Sequence, residues 1–121
     1  EVGKKFVNQS ASNLHDHYGD MSPVHSLNNL AVVIWAFLSF QDSFDEAIGE
    51  TICCGWDTDC TGATVGGLIG LDKGSIPELW TDPWQGRVNT AIAGVGELKL
   101  EDLVERTCKL VDQFSSESDM D

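Results

Sequence analysis

The run LAVVIWAFLSF, Leu30 to Phe40, restricts the possible folds of this chain more than any other stretch. It is apolar on every side, so it reads as a helix buried all round or as a buried strand. Its length favours a helix, and it falls well short of the ~20 residues that cross a bilayer. A segment of this kind has to be covered by neighbours.

Those neighbours read as helices. Ser43 and Glu46 stand in S-x-x-E spacing, a capping box that satisfies backbone donors at a helix start. Phe44, Ala47, Ile48, Thr51 and Ile52 then recur at helical spacing, and Gly55 supplies a stop. After Asp57 a further helix is expected to Leu71. Ser75 and Glu78 repeat the box, with Pro77 tolerated in the first turn, and Leu79 to Trp84 reads as a short turn-like element. RVNTAIAGVGELKL, 87–100, is ambiguous, broken by Gly94 and Gly96. In 100–114, Leu100, Leu103, Val104, Cys108, Leu110 and Val111 lie roughly along one helix face. Residues 1–21 are polar and weakly patterned, with a helix expected to end near HYGD, 17–20. SPVHSLNN, 22–29, reads as a loop, because Pro23 pushes the preceding residue out of helical geometry. No internal repeat or alternating strand pattern stands out. The class is all-α, with a helical portion over 1–114 and an acidic, fraying tail over 115–121.

With 121 residues the chain suits one modest domain, and 41% hydrophobic residues mark it as globular. Twenty acidic against seven basic residues give a net charge of −13. That argues against nucleic-acid binding, which needs Lys/Arg clusters. Four cysteines form no C-x-x-C pair, and three histidines offer no zinc-finger spacing. Cys53 and Cys54 sit in an apolar run as small hydrophobes. A reducing, cytoplasmic setting is expected, with no membrane span and no signal peptide ahead of the apolar run. The chain opens on Glu1 without a methionine, which suggests a piece of something longer.

The chemistry concentrates in GWDTDCTGATVGGLIG, 55–70. In a regular helix, positions two apart point about 200° from each other. If Asp57 is a cap and Asp59 lies in the first turn, both carboxylates can face one point. Such a pair is either a capping cluster favoured by the helix dipole or a hard-cation site of oxygen ligands. Gly62, Gly66 and Gly70 follow at i, i+4, i+8, with Gly67 beside them. Each costs about 1 kcal/mol against alanine inside a helix. A bare stripe of this kind lets another helix backbone, or a ligand, come close.

This motif resembles the C-terminal metal motif of the ADP-ribosylglycohydrolase family, all-α hydrolases with a two-magnesium centre. SPVHSLNNLAVVIWAFL, SFDEAIGETICCGWDTDC and IPELWTDPWQGRVNTAIAGVGELKLEDLVERT extend the likeness over most of residues 22 to 107. The resemblance implies hydrolysis of an N- or O-glycosidic bond at the anomeric carbon of ADP-ribose. It makes Asp57 and Asp59 ligands of Mg²⁺, two ions in the complete site. Many members have a threonine ligand where this chain has Cys60, and a thiol suits Mg²⁺ poorly. Thr61 is the neighbouring hydroxyl. The glycine-aspartate and serine/threonine-aspartate-aspartate-threonine motifs of the family's N-terminal half do not occur here, and Gly19-Asp20 is a chance match. The chain is therefore expected to be a C-terminal portion, inactive alone. Its partner would be the N-terminal half or a complementary chain, or a second copy of itself. A protein-supplied general acid or base would come from that half.

His25, Asn28 and Asn29 could line a substrate pocket, or serve as a local cap at the helix start. Trp56 adjoins the motif and could wall the pocket. His15 and His17 read as solvated surface, and Trp80 and Trp84 as packing residues rather than an adenine platform. Two other readings compete with the enzyme: a non-catalytic binding or regulatory module of the same fold, and an acidic interaction domain whose DTD is only a cap.

Overall fold

The structure, a computed structural model, describes residues 11–118. The chain divides into two compact units after Ile76. The first holds α1 (11–18), α2 (Ser26–Phe40), α3 (Phe44–Cys54) and α4 (Thr58–Lys73). The second holds α5 (Glu78–Thr81), a 3₁₀ turn (Asp82–Trp84), the strands β1 (Arg87–Asn89) and β2 (Glu97–Lys99), and α6 (Leu100–Ser118).

α2 starts a full turn before Leu30. His25 is its N-cap, its Nδ1 accepting the Leu27 N–H at 3.2 Å, which satisfies a first-turn donor. α3 starts at the capping serine, where Ser43 Oγ accepts the Glu46 N–H at 3.4 Å. It ends at Gly55, at φ 84°, whose N–H returns to the Ile52 carbonyl. α4 runs two residues past Leu71, because Gly74 at φ 70° supplies the left-handed stop.

The core of this unit is Val33, Ala36, Ala47, Val65 and Ile69, with Trp35, Phe37, Phe40, Phe44 and Ile48 packed against it. α2 is not buried all round, as its composition suggests. Asn28, Val32, Val33 and Ala36 are buried, whereas Leu27, Leu30, Ile34 and Leu38 form an exposed stripe, with Leu38 67% accessible. Among the described residues, α3 and α4 cover one side of α2.

The glycine stripe of α4 receives side chains rather than a neighbouring backbone. A Cβ at Gly62 would stand 3.0 Å from Ile52 Cδ1, one at Gly66 3.3 Å from Ile48 Cδ1, and one at Gly70 3.1 Å from Ile76 Cγ1. A Cβ at Gly67 would meet nothing within 4 Å.

In the second unit the Ser75–Glu78 capping box does not form. Pro77 is the N-cap of α5, without a side-chain cap bond, so Glu78 is the first helical residue and Ser75 stands two positions too early to cap it. The ambiguous 87–100 stretch is a small antiparallel hairpin, pairing Arg87 with Lys99, Val88 with Leu98 and Asn89 with Glu97. Arg87 and Glu97, diagonal neighbours on one face, form an ion pair. Gly94 and Gly96, at φ 80° and 65°, shape its turn. Two three-residue strands leave the class helical. α6 continues to Ser118, beyond the 114 at which its apolar pattern stops, and residues 119–121 of the expected tail lie outside the described ones. Leu100, Leu103, Val104, Leu110 and Val111 are exposed along α6, as are Trp80 of α5 and Trp84 of the 3₁₀ turn. Among the described residues no helix is long and apolar enough to cross a membrane.

Gly66→Leu should destabilise the fold by ~1–3 kcal/mol or more, since Ile48 and Phe44 already fill that space. Gly67→Ala should be neutral, or stabilise by up to ~1 kcal/mol. Chemical unfolding of both variants checks this; equal stabilities would mean that the stripe does not carry the packing.

Candidate metal centre

The corner between α3 and α4 is built from four residues. Gly55 ends α3, Trp56 turns the chain in the left-handed region at φ 60°, and Asp57 caps α4 before Thr58. A non-glycine residue at such a φ costs roughly 1–2 kcal/mol. Contacts from α1 hold it there. The His15 ring stacks on Trp56 with centroids 4.1 Å apart, and its Nε2–H donates to the Cys54 carbonyl at 2.6 Å. His15 is thus a fastener of the corner, not a merely solvated residue. His17 packs edge-on against Tyr18.

Asp57 divides its groups between two tasks. Its carbonyl accepts the Thr61 N–H at 3.0 Å and the Thr61 hydroxyl at 2.9 Å, which starts α4. Its carboxylate forms no side-chain cap of good geometry; Oδ2 accepts from Asn29 Nδ2 at 2.8 Å instead. Because Asp57 lies at φ −86°, ψ 71°, outside helical geometry, its carboxylate is not set opposite that of Asp59. Donor atoms of Asp57, Asp59 and Cys60 all lie within 4.8 Å of one another.

Charges follow from this crowding. Partial desolvation pushes the Asp57 carboxyl up. Hydrogen bonding with Asp59, the Cys60 thiol and the Asn29 amide, with a weaker pull from the Cys60 N–H, outweighs it and holds Asp57 below the usual aspartate range. The Cys60 thiol moves the other way. Its hydrogen bond to Asp57 and that residue's charge raise it, with desolvation and the Asp59 charge adding to them. Burial raises the Cys54 thiol as well.

A groove of about 270 Å³ opens between α2 and α4, lined by Ser26, Asn29, Leu30, Val33, Cys60, Thr61 and Thr64. It lies just under the usual ~300–1,000 Å³ of ligand pockets. Of the four residues expected at a substrate, only Asn29 lines it. His25 is exposed and caps α2, the local role weighed from sequence. Asn28 is fully buried and does not line the groove, donating to the Ser22 carbonyl at 3.0 Å and accepting the Asn29 N–H at 2.9 Å. Trp56 stands against His15 and does not line the groove. Thr61 lines the groove, but its hydroxyl donates to the Asp57 carbonyl, and it does not join the Asp57–Asp59–Cys60 cluster.

Sequence reasoning misses Ser26, Thr64 and the Asn29–Asp57 bond. Ser26, Asn29, Leu30 and Val33 do share one helical stripe, the single signal that could have marked the groove. Asn29 Oδ1 is buried without a hydrogen-bond partner, which leaves an unused acceptor where α2 meets the cluster. Tested against this donor set, magnesium fits the carboxylates of Asp57 and Asp59 and does not fit the thiol of Cys60.

Asn29→Ala removes a hydrogen bond that favours the ionised form, so the Asp57 midpoint should rise toward the ordinary value. Carboxyl-carbon NMR titration reads it directly. A depressed folded value means that the stability owed to Asp57 is present above its unfolded pKa and is lost as pH falls through the folded one. In Asn29→Ala that loss should begin at higher pH; an unchanged acid unfolding profile would show that Asn29 does not hold the carboxylate.

The sequence profile of one family, ADP-ribosylglycohydrolase, matches residues 4–118. No curated protein and no solved structure matched the chain. The match spans nearly the whole sequence, and the helical fold accords with it: the chain belongs to the ADP-ribosylglycohydrolase family.

Proposed function

We propose that this chain supplies the aspartate metal motif of a hydrolase that cleaves the glycosidic bond at the anomeric carbon of ADP-ribose. The substrate is an ADP-ribosylated protein or a small ADP-ribosyl compound. One observation carries the reading: Asp57 and Asp59 converge at the N-terminus of α4, with Asn29 bracing the first of them. In a family of ADP-ribosylglycohydrolases, such a pair is best read as metal-holding.

Asp57 and Asp59 would hold magnesium, which when bound supplies Lewis-acid polarisation and a template for the ribose hydroxyls. Asn29 fixes the Asp57 carboxylate through its amide N–H. The His15–Trp56 stack holds the corner that presents both aspartates. The groove beside Cys60 offers Ser26, Asn29 and Thr64 as polar groups toward a sugar-sized guest. His25 and Trp56 stand at the start of α2 and at the corner, where they support the site rather than line the groove.

Two carboxylates do not fill the octahedral shell of magnesium. The remaining ligands, and any protein acid or base, come from a partner of the kind the family's N-terminal half represents. The exposed stripe of Leu27, Leu30, Ile34 and Leu38 is consistent with such a partner.

The isolated chain should bind Mg²⁺ with at best millimolar affinity by calorimetry, and more weakly in Asp57→Ala, because most of the shell is solvent. Micromolar binding by the chain alone would contradict the reading. With Mg²⁺ present it should release no ADP-ribose from an ADP-ribosylated substrate until that partner is added. Turnover by a monodisperse monomer would refute the need for one.

A further inference from the structure

The second unit carries a concavity that the proposed hydrolase chemistry does not use. Where the hairpin meets the start of α6 lies a cavity of about 540 Å³, within the ~300–1,000 Å³ usual for small-molecule sites. The turn at Gln85 and Gly86, left-handed at φ 50° and 67°, folds the chain back to form its wall. The Gly86 carbonyl accepts the Leu100 N–H at 2.7 Å, which ties that wall to the helix. Leu100 and Val104 supply an apolar floor, and Arg87, Lys99 and Glu101 supply charge. Arg87 and Lys99 are direct cross-strand partners, so both side chains stand on one face of the hairpin, where opposed like charges repel. Arg87 is compensated by its ion pair with Glu97. Lys99 is not: among the described residues its side chain pairs with no acid, in a chain of twenty acidic and seven basic residues. Glu101, two positions on, is likewise unpaired among the described residues and lines the same cavity. An unpaired cation and an unpaired anion thus border one apolar floor without neutralising each other. A plain anion would gain Lys99 and be repelled by Glu101, and a plain amine the reverse. A guest that carries both charges is attracted by both.

We propose that this cavity binds a small zwitterion with an apolar side chain, of the class of a free apolar α-amino acid. The ligand's carboxylate meets the Lys99 ammonium with Arg87 beside it, and its ammonium meets the Glu101 carboxylate, both as charge-assisted hydrogen bonds. Its side chain leaves water against Leu100 and Val104. The site lies wholly within the second unit and does not depend on the aspartate motif of the first.

L-Leucine is the probe, titrated into the full chain and followed by amide NMR. The Gly86, Arg87, Leu100 and Val104 signals should shift saturably and together. Two analogues separate the charges: isocaproate lacks the amine, and isoamylamine lacks the carboxylate. Each should bind roughly tenfold more weakly or worse, the loss expected when a charged group is left without its partner. Lys99→Gln and Glu101→Gln should weaken leucine binding by the same order. Circular dichroism establishes that each variant is folded, and the analogue comparison on the unaltered chain decides the matter even where a variant does not fold. No saturable shift at these amides overturns the proposal. Isocaproate that binds as tightly as leucine makes the cavity a plain anion site and overturns it too, as does leucine affinity that survives either charge substitution.

Discussion

The seating of Ile52, Ile48 and Ile76 against Gly62, Gly66 and Gly70 sets the spacing on which the rest of the first unit depends. Each glycine weakens α4 as an isolated helix by about 1 kcal/mol relative to alanine. The compensation is contact: the isoleucine methyls occupy the volume a Cβ would take, and α3 comes correspondingly close. With α3 seated there, its C-terminal end fixes where Gly55 and Trp56 turn the chain. That turn places Asp57 where its carboxylate meets Asn29 of α2. Three helices are thus tied at one point, and the bond between them is a charge-assisted one of the stronger kind.

The electrostatics of that point are unusual for so acidic a chain. With a net charge of −13, clustering two of its carboxylates would be unfavourable without local compensation. The structure offers the positive end of the α4 dipole, worth about 0.3–1 kcal/mol to an anion in the first turn. It adds the Asn29 amide and the Cys60 thiol as donors to Asp57. The nearest described lysine of α4, Lys73, lies in its last turn and pairs with Asp42 and Asp72 instead. Neutral donors and a helix end therefore hold the aspartates, and no lysine or arginine of the cluster competes with an arriving cation.

Local signals were legible in the sequence and tertiary ones were not. Ser43 and Gly55 bound α3 because caps and left-handed stops act within a few residues. The same S-x-x-E spacing fails at Ser75, since Pro77 takes the N-cap place and the single turn begins at Glu78, which leaves Ser75 outside the cap. Leu30 to Phe40 shows that composition states what a helix could bury, while the number of neighbours decides what it does bury. The hairpin at 87–99 was hidden because its strands are three residues long and its pairing is diagonal, Arg87 to Glu97. Asn29 and His15 illustrate the harder limit. Their partners, Asp57 and the Cys54–Trp56 corner, lie 28 to 41 positions away, beyond any local pattern.

The capping and metal readings of D-x-D both turn on what the Asp57 carboxylate meets. A cap requires an acceptor for the first-turn N–H groups, and the bond from the Thr61 N–H to the Asp57 carbonyl is instead the first regular bond of the helix. The Asp57 carboxylate makes no full side-chain cap: it takes a 2.8 Å hydrogen bond from Asn29 and only a weak pull from the Cys60 N–H. Asparagine at 29 then takes up that carboxylate with a neutral donor. A lysine there would neutralise it and close the site to cations. An apolar residue would leave it unbraced. The residue types at 29 and 57 therefore form one arrangement, in which a neutral amide braces the acidic group without neutralising it.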